Sequence, residues 1–371
     1  MKKQIFNLSV LAIFFAIVFT SCQKEEINQD TSDSILPTRF SVGVPGSISQ
    51  EGAARKSATS DDTLRGSDIY QHLGTFIAVG DGAGEIVEGI IASIRYYHIN
   101  KPLSMTYESD DDGRAKNLTV LKNPSFEETN WDFQMNITDA DSEGNPDGGM
   151  GLQIFWNTNP IKGIAILKPY NIDRTHNDLA DEAIFRIEYS EAGEMGYDAH
   201  MTVSIAGLPL ENPLVDPYSV STLKMFAGKE GDMVDVYGNT NHPNAKFFST
   251  ESGFNWAFVA SADEAANVAV AEVGLPPSGL DETSRSILLV DHSIKNVFSS
   301  QITAVWPGID QSLIDSYLFN AGAPGYFNQN GFVVGGTSPG NQFDEVEERI
   351  ASMSPFNPKE VSELEISFKL N

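Results

Sequence analysis

The chain has 371 residues, with 24 Lys and Arg against 51 Asp and Glu and a formal net charge of −27 at pH 7. Its 41% hydrophobic and 10% aromatic content is typical of a folded protein, and the length allows one large domain or two ordinary ones. The acidity argues against nucleic acid as a partner, because phosphate contacts need clustered Lys and Arg. With 1 Cys in the sequence, no internal disulfide can form.

The first residues have the pattern of an export signal. Lys2 and Lys3 give a basic start, residues 6–19 are apolar and uncharged, and the small residue Ser21 precedes Cys22. This apolar run is too short to span a bilayer, which takes about 20 residues. A signal peptide is therefore predicted over residues 1–21.

The end of this segment resembles the lipobox of bacterial lipoproteins. The following Lys24, Glu25 and Glu26 resemble the export signal of Bacteroidota-type surface lipoproteins, although an ordinary charged linker would have the same residues. The resemblance implies that Cys22 is acylated, that the lipid anchors the protein in the outer membrane, and that the protein is displayed on the cell surface. It also implies an outer-membrane transporter as a partner. No motif of the mature chain identifies a family.

The composition divides the rest of the chain. Residues 22–66 are rich in Ser, Thr, Asp, Gln and Gly, which predicts a flexible tether behind the acylated Cys. Residues 67–210 are predicted to form a helix followed by an antiparallel β domain, and residues 211–371 to continue with strands and C-terminal helices. A Pro-rich stretch near residue 211 marks either a domain boundary or a long connection.

Hydrophobic periodicity predicts the elements. Apolar residues recur at helical spacing over residues 82–98, which predicts one N-terminal helix. The spacing then changes to two, as in Phe133, Met135 and Ile137, which is typical of half-buried strands. Residues 310–322 and 343–353 again carry helical stripes, and residues 364–368 alternate as a final strand. The predicted fold is β-rich α+β: an antiparallel barrel or sandwich with one N-terminal helix and a mixed helical C-terminal part.

One acidic stretch resembles a calcium-binding loop. Asp139, Asp141, Glu143 and Asp147 occupy loop positions 1, 3, 5 and 9, with Gly144 at position 6. Met150 stands where the bidentate Glu of an EF-hand is required, and the flanks are predicted strands, so an EF-hand is excluded. A looser calcium site in a hairpin loop and a solvated acidic loop both account for these residues.

The sequence patterns that resemble enzymatic motifs lack residues or spacings that the chemistry requires. Gly336-Thr337-Ser338-Pro339-Gly340 matches a nucleophile elbow, yet Pro339 lacks the N–H that the oxyanion hole needs. The six His residues show no metal-ligand spacing. The sequence favours the absence of catalysis but leaves it undecided. A pair of carboxylates for glycan hydrolysis cannot be recognised among 51 acidic residues from the sequence.

Two tryptophans stand beside Asn in predicted strands. Trp156 and Trp256 would serve either as core residues or as aromatic platforms for a glycan. Together with the lipobox, they lead to the function expected from the sequence: a non-enzymatic surface lipoprotein that binds a glycan, peptide or nutrient. A structural or adhesive cell-surface subunit is one alternative, and a carboxylate-dependent glycan hydrolase is the other.

Overall fold

A computed structural model describes residues 35–49, 63–95, 99, 101–175, 181–248 and 252–369. Cys22 and Lys24 to Glu26 lie outside the described residues. The chain forms two compact units. The described part of the first unit is 43–49, 63–80, 210–248 and 252–364, and that of the second is 35–42, 81–95, 99, 101–175, 181–209 and 365–369. We call them the C-terminal unit and the central unit.

Seven α-helices and fifteen strands lie within the described residues. The helices are α1 Gly46–Ser49, α2 Gly66–Arg95, α3 Pro169–Ile172, α4 Ile294–Val305, α5 Gln311–Tyr317, α6 Asp344–Ser352 and α7 Pro358–Ser362. The strands are β1 Leu103–Glu108, β2 Ala115–Lys122, β3 Ser125–Phe126, β4 Thr129–Asn130, β5 Phe133–Asp139, β6 Met150–Thr158, β7 Ile161–Leu167, β8 Ile184–Ser190, β9 Ala199–Ala206, β10 Thr222–Glu230, β11 Met233–His242, β12 Phe254–Asp263, β13 Val268–Gly274, β14 Gly325–Asn328 and β15 Gly331–Gly335. Among the described residues, no helix combines the length and apolar character needed to cross a bilayer.

Helix α2 is much longer than predicted. The sequence places its start near residue 82, where glycines normally end a helical pattern, but the helix begins at Gly66 and runs through that stretch. Close packing accounts for these glycines. A Cβ at Gly80 would lie 2.4 Å from Met225 Cε, and one at Gly84 would lie 3.0 Å from Ser41 Cβ. At these two glycines, the helix therefore lies closer to neighbouring residues of the same unit than a residue with a Cβ would allow.

The central unit contains an antiparallel meander with strand order β1-β2-β5-β6-β7-β8-β9. Strands β3 and β4 form a separate small hairpin. Successive side chains point to opposite faces of the sheet. Met135 and Ile137 of β5 are buried on the same face as Ile154 and Trp156 of the neighbouring strand β6. The period-two prediction is confirmed for these strands.

In the C-terminal unit the strands follow the order β10-β11-β12-β13-β14-β15, again antiparallel. Nearly every residue of β12 is buried, because both faces of the sheet are covered. Phe76 of α2 contacts Trp256 on one face, while Val346 and Ile350 of α6 pack with Val259 on the other. A sheet covered on both sides explains why alternation is weak in this part of the sequence.

The predicted β-rich α+β class, with antiparallel strands, one N-terminal helix and C-terminal helices, is confirmed. No described pairing closes either run of strands on itself, so the sandwich fits better than the barrel. Two expectations need correction. Part of the predicted tether over 22–66 is packed, with Phe40, Val42 and Ile48 buried. The predicted final strand over residues 364–368 joins no ladder, and the backbone N–H of Lys369, directly after it, instead donates to the side chain of Gln153.

Candidate functional site

The residues predicted to bind calcium lie in a network of ion pairs. The buried carboxylate of Asp139, at the end of β5, accepts hydrogen bonds from Arg114 Nε at 2.6 Å and Nη2 at 2.7 Å, and from Lys116 Nζ at 2.9 Å. Hydrogen bonds from Arg114 are the largest cause that holds the pKa of Asp139 well below its ordinary value, against the opposing effect of burial. Asp139 is therefore an ionised and fully paired carboxylate.

The other acidic residues of these turns also have partners on the protein. Asp147 accepts from Lys168 Nζ at 2.6 Å and from Asn171 Nδ2 at 3.0 Å. Glu143 accepts from Asn117 Nδ2 at 2.6 Å, whereas Asp141 is mostly exposed and 3.5 Å from Arg114.

The neighbouring acidic turn joins the same network, since Asp112 accepts from Lys116 Nζ at 2.9 Å and from the backbone N–H of Arg174 at 3.0 Å. In the described parts of the chain, no three His, Cys, Asp or Glu side chains are arranged to hold a metal ion. Calcium binding stays a prediction, and Lys and Arg supply positive charge at most of the proposed ligands.

The two tryptophans chosen from the sequence are core residues in the structure. Trp156 is fully buried, donates Nε1 to the carbonyl of Ile35 at 2.9 Å and stacks on Phe133 with ring centres 5.5 Å apart. Trp256 is 4% exposed and meets Phe76 edge to face at 5.8 Å. Neither ring forms an exposed platform, so a ligand role for them stays a prediction without support from their position.

The exposed aromatic surface lies elsewhere, on the helical hairpin α4–α5 of the C-terminal unit. Trp306 ends α4, donates its backbone N–H to the carbonyl of Ile302 and has 51% of its surface exposed. The hairpin turns through Pro307 and Gly308, where φ is +91°, and Asp310 then caps α5 by accepting from the N–H of Ser312 at 2.8 Å. We call Trp306, with the exposed Leu313 of α5 and Phe319 just beyond it, the hairpin surface.

A ladder of aromatic rings supports this surface from beneath. Trp306 meets Phe248 edge to face at 5.9 Å, and Phe248 meets both Phe298 of α4 at 5.7 Å and Tyr317 of α5 at 6.2 Å. Phe247 contacts Phe298 at 4.6 Å, which continues the ladder inward. Such ring pairs contribute about 0.5–1.5 kcal/mol each beyond the burial of their area. Trp306 is therefore exposed on one side and held in place on the other.

The inner end of the ladder is a buried, neutral histidine. His242 stacks on Phe254 at 5.0 Å, donates Nδ1–H to the carbonyl of Tyr218 at 2.8 Å and lies 2.8 Å from Thr240 Oγ1 through Nε2. Because a carbonyl can only accept, Nδ1 carries the proton and Nε2 accepts from the threonine hydroxyl. Burial lowers the pKa of His242 to about 4. This imidazole is structural, since no part of it is exposed.

Ionised polar groups accompany the aromatic ones on the hairpin. Lys295 of α4 lies 3.2 Å from Asp315 of α5, and Gln311 Nε2 donates to the same carboxylate at 3.3 Å. These hydrogen bonds, Lys295 first, lower the pKa of Asp315, so it accepts hydrogen bonds at neutral pH. The α4–α5 hairpin thus carries charged and amide side chains in addition to the hairpin surface, with Lys295 at the opposite end of α4 from Trp306.

The sequence contained a weak signal for this site. Trp306 stands just before Pro307-Gly308, where the apolar stripe of α4 ends, and a large aromatic residue at a helix end can project outside the buried stripe. No family model matches the chain, and neither the curated proteins nor the solved structures contain a match to it.

Proposed function

We propose that this protein is a non-catalytic surface lipoprotein that binds a glycan on the hairpin surface of its C-terminal unit. The observation that carries the proposal is Trp306, which is half exposed yet held by Phe248 from beneath. An exposed apolar side chain that is fixed in one orientation suits recognition, because little conformational entropy is lost when a ligand binds. The anchor in this proposal is acylated Cys22, which rests on the resemblance of the signal region.

A glycan fits the chemistry better than an apolar ligand. The C–H face of a sugar ring packs on an aromatic ring, while its hydroxyl groups need hydrogen-bond acceptors and donors around the rim. The same hairpin carries the carboxylate of Asp315 and the amide of Gln311, near the other end of α4, for further sugar units. A hairpin that carries both an exposed indole and ionised and amide groups has the two kinds of surface that an oligosaccharide needs.

The proposal is tested by glycan binding with a matched control. Purified soluble protein that begins after Cys22 is run through native gels containing neutral or acidic polysaccharides, and the retardation is compared with that of Trp306→Ala. We expect the variant to lose at least tenfold in affinity while it stays folded, with only a modest fall in Tm from the loss of the contact with Phe248. Leu214→Ala is the control, since Leu214 is 86% exposed on a different loop of the same unit.

The same experiment separates the alternatives. Wild-type retardation that survives in Trp306→Ala would contradict the hairpin surface as the binding site. Release of reducing ends from a retained polysaccharide would favour the carboxylate-dependent hydrolase. The absence of retardation by any glycan, with self-association of the intact lipoprotein, would favour the structural or adhesive subunit. Surface display is tested by protease treatment of intact cells, in which a protected protein would contradict it.

A further inference from the structure

Residues 365–369 pack on one face of the sheet of the central unit without joining its hydrogen-bonded ladder. Ile366 and Phe368 pack on an apolar cluster, while Glu365 and Ser367 are exposed. The cluster consists of Trp131 together with Phe155, Ile164 and Ile166 of β6 and β7. The segment therefore has the side-chain alternation of a strand, but it lies across a sheet face. We call this part of the sheet the outer groove.

A buried glutamine binds the backbone of the segment. The N–H of Lys369 donates to Gln153 Oε1 at 2.8 Å, and Gln153 Nε2 donates to the carbonyl of Lys369 at 3.1 Å. Gln153 is fully buried, and its Nε2 also donates to Asn136 Oδ1 at 3.2 Å, which fixes the orientation of the amide. Two hydrogen bonds to the N–H and C=O of one residue recognise main chain, so they place no demand on the side chain bound there.

The groove also has a place for a cation. Lys369 Nζ donates to the carbonyl of Ser125 at 2.6 Å and lies 6.0 Å from the centre of the Phe155 ring. Phe126, on the small β3–β4 hairpin, stacks on Phe155 with ring centres 4.4 Å apart. The hairpin thus forms one wall of the groove and supplies a carbonyl and an aromatic face, both of which attract a positive charge.

We propose that the outer groove is a docking site for an extended peptide of a partner protein, with apolar residues at two alternate positions followed by Lys or Arg, and that residues 365–369 occupy it in the isolated protein. Every contact is made to main chain, to two apolar side chains or to one cation, and none depends on the segment belonging to the same chain. A Lys or Arg of the partner would take the place of Lys369, between the carbonyl of Ser125 and the ring of Phe155. This site is separate from the hairpin surface and does not rest on the proposed glycan function.

The test uses a fluorescent peptide with the sequence of residues 363–371 and the soluble protein, with binding followed by anisotropy. The attached segment competes at an effective concentration of about millimolar, so wild-type protein should bind the peptide weakly. Ile366→Ala with Phe368→Ala in the protein releases the segment and should raise the affinity at least tenfold. Adding Gln153→Leu to that variant should then lower the affinity about tenfold. A peptide with Asp in place of its Ile and Phe is the control and should not bind.

Three results would overturn the proposal: a folded double variant with no gain in peptide affinity, equal binding of the control peptide, or binding unaffected by Gln153→Leu. Circular dichroism establishes folding. Should the double variant unfold, Phe368→Ala alone removes the larger of the two apolar contacts, and a smaller gain and the same dependence on Gln153 are then measured in that background.

Discussion

The ammonium of Lys116 lies 2.9 Å from a carboxylate oxygen of Asp139, and the two side chains expose 2% and 0% of their surfaces. The same ammonium donates to Asp112 at 2.9 Å and to the carbonyl of Asn171 at 3.1 Å. One cation therefore joins the turn before β2, the end of β5 and helix α3. A buried ion pair whose groups are all hydrogen-bonded favours one arrangement of these loops over others, even where its net contribution to stability is small.

Removal of this cation should destabilise the protein strongly. Lys116→Met leaves the carboxylates of Asp112 and Asp139 buried with less compensation, and loss of one partner of a buried pair costs about 3–5 kcal/mol. Urea unfolding followed by tryptophan fluorescence measures the loss. Lys229→Met is the matched control, because Lys229 and Glu264 form a pair at 2.6 Å that is about one-third exposed. That control should lose at most about 1 kcal/mol. Equal losses would mean that burial of the network has no energetic effect.

Calcium should have little effect on the wild-type protein. Arg114 and Lys116 already donate to Asp139, so Ca²⁺ would have to displace protein cations to use that carboxylate as a ligand. We expect the Tm in millimolar CaCl₂ to lie within about 1 °C of the Tm in EGTA. A ligand that stabilised the folded protein by about 1 kcal/mol would raise the Tm by roughly 2–4 °C. A reproducible rise of several degrees, abolished by Asp141→Asn and Glu143→Gln, would instead support the calcium site predicted from the sequence.

Acid should weaken the C-terminal unit through His242. Its pKa is about 6.5 in the unfolded chain and is lowered to about 4 by burial, so between these values the unfolded state binds more protons. The contribution of His242 to the free energy of unfolding is fully present above pH 6.5. It is lost as the pH decreases toward 4, and the total loss is about 3 kcal/mol. The difference between wild type and His242→Gln, measured by urea unfolding at pH 7.5, 6 and 5, isolates this effect. A difference that stays constant over that range would show that His242 does not titrate as its burial requires.

The fold was predictable where one face of an element is buried and the other is not. Phe133, Met135 and Ile137 gave β5 from alternation alone, and the stripe with Val346 and Ile350 gave α6. Prediction failed where packing overrides local preference. Gly80 and Gly84 indicate a helix start, but they lie inside α2 because neighbouring side chains approach the helix there. Likewise, Phe40 sits in a polar stretch that looked unstructured, and its burial depends on contacts distant in sequence.

The candidate sites were less predictable than the fold. Asp139 and Asp147 lie at the end of β5 and in the loop before β6, as a loop motif implies, but their spacing could not show that Arg114 and Lys168 would reach them. Partners from other strands are invisible to a local motif. Trp306 was missed because exposure, unlike periodicity, depends on the whole surface around a residue. Gln153 gave no signal at all, since its role is defined only by the segment that crosses it.

Two asparagines on one face of β11 should respond in opposite ways to replacement by leucine. Asn239 is 0% exposed, and neither side-chain polar atom has a hydrogen-bond partner among the described residues. Asn241 donates to Ser221 Oγ at 2.9 Å and accepts from Ser278 Oγ at 2.7 Å. An unpaired buried amide carries a desolvation penalty of about 1–3 kcal/mol, which Asn239→Leu removes with a side chain of the same branched shape but larger volume, so urea unfolding should show equal or greater stability where the site accommodates the two methyl groups. Asn241→Leu should lose about 1–3 kcal/mol, because it removes the amide that both serines bind. A large loss in Asn239→Leu would mean that its amide is hydrogen-bonded in solution, and its side-chain NH₂ resonances would then show slow exchange with solvent.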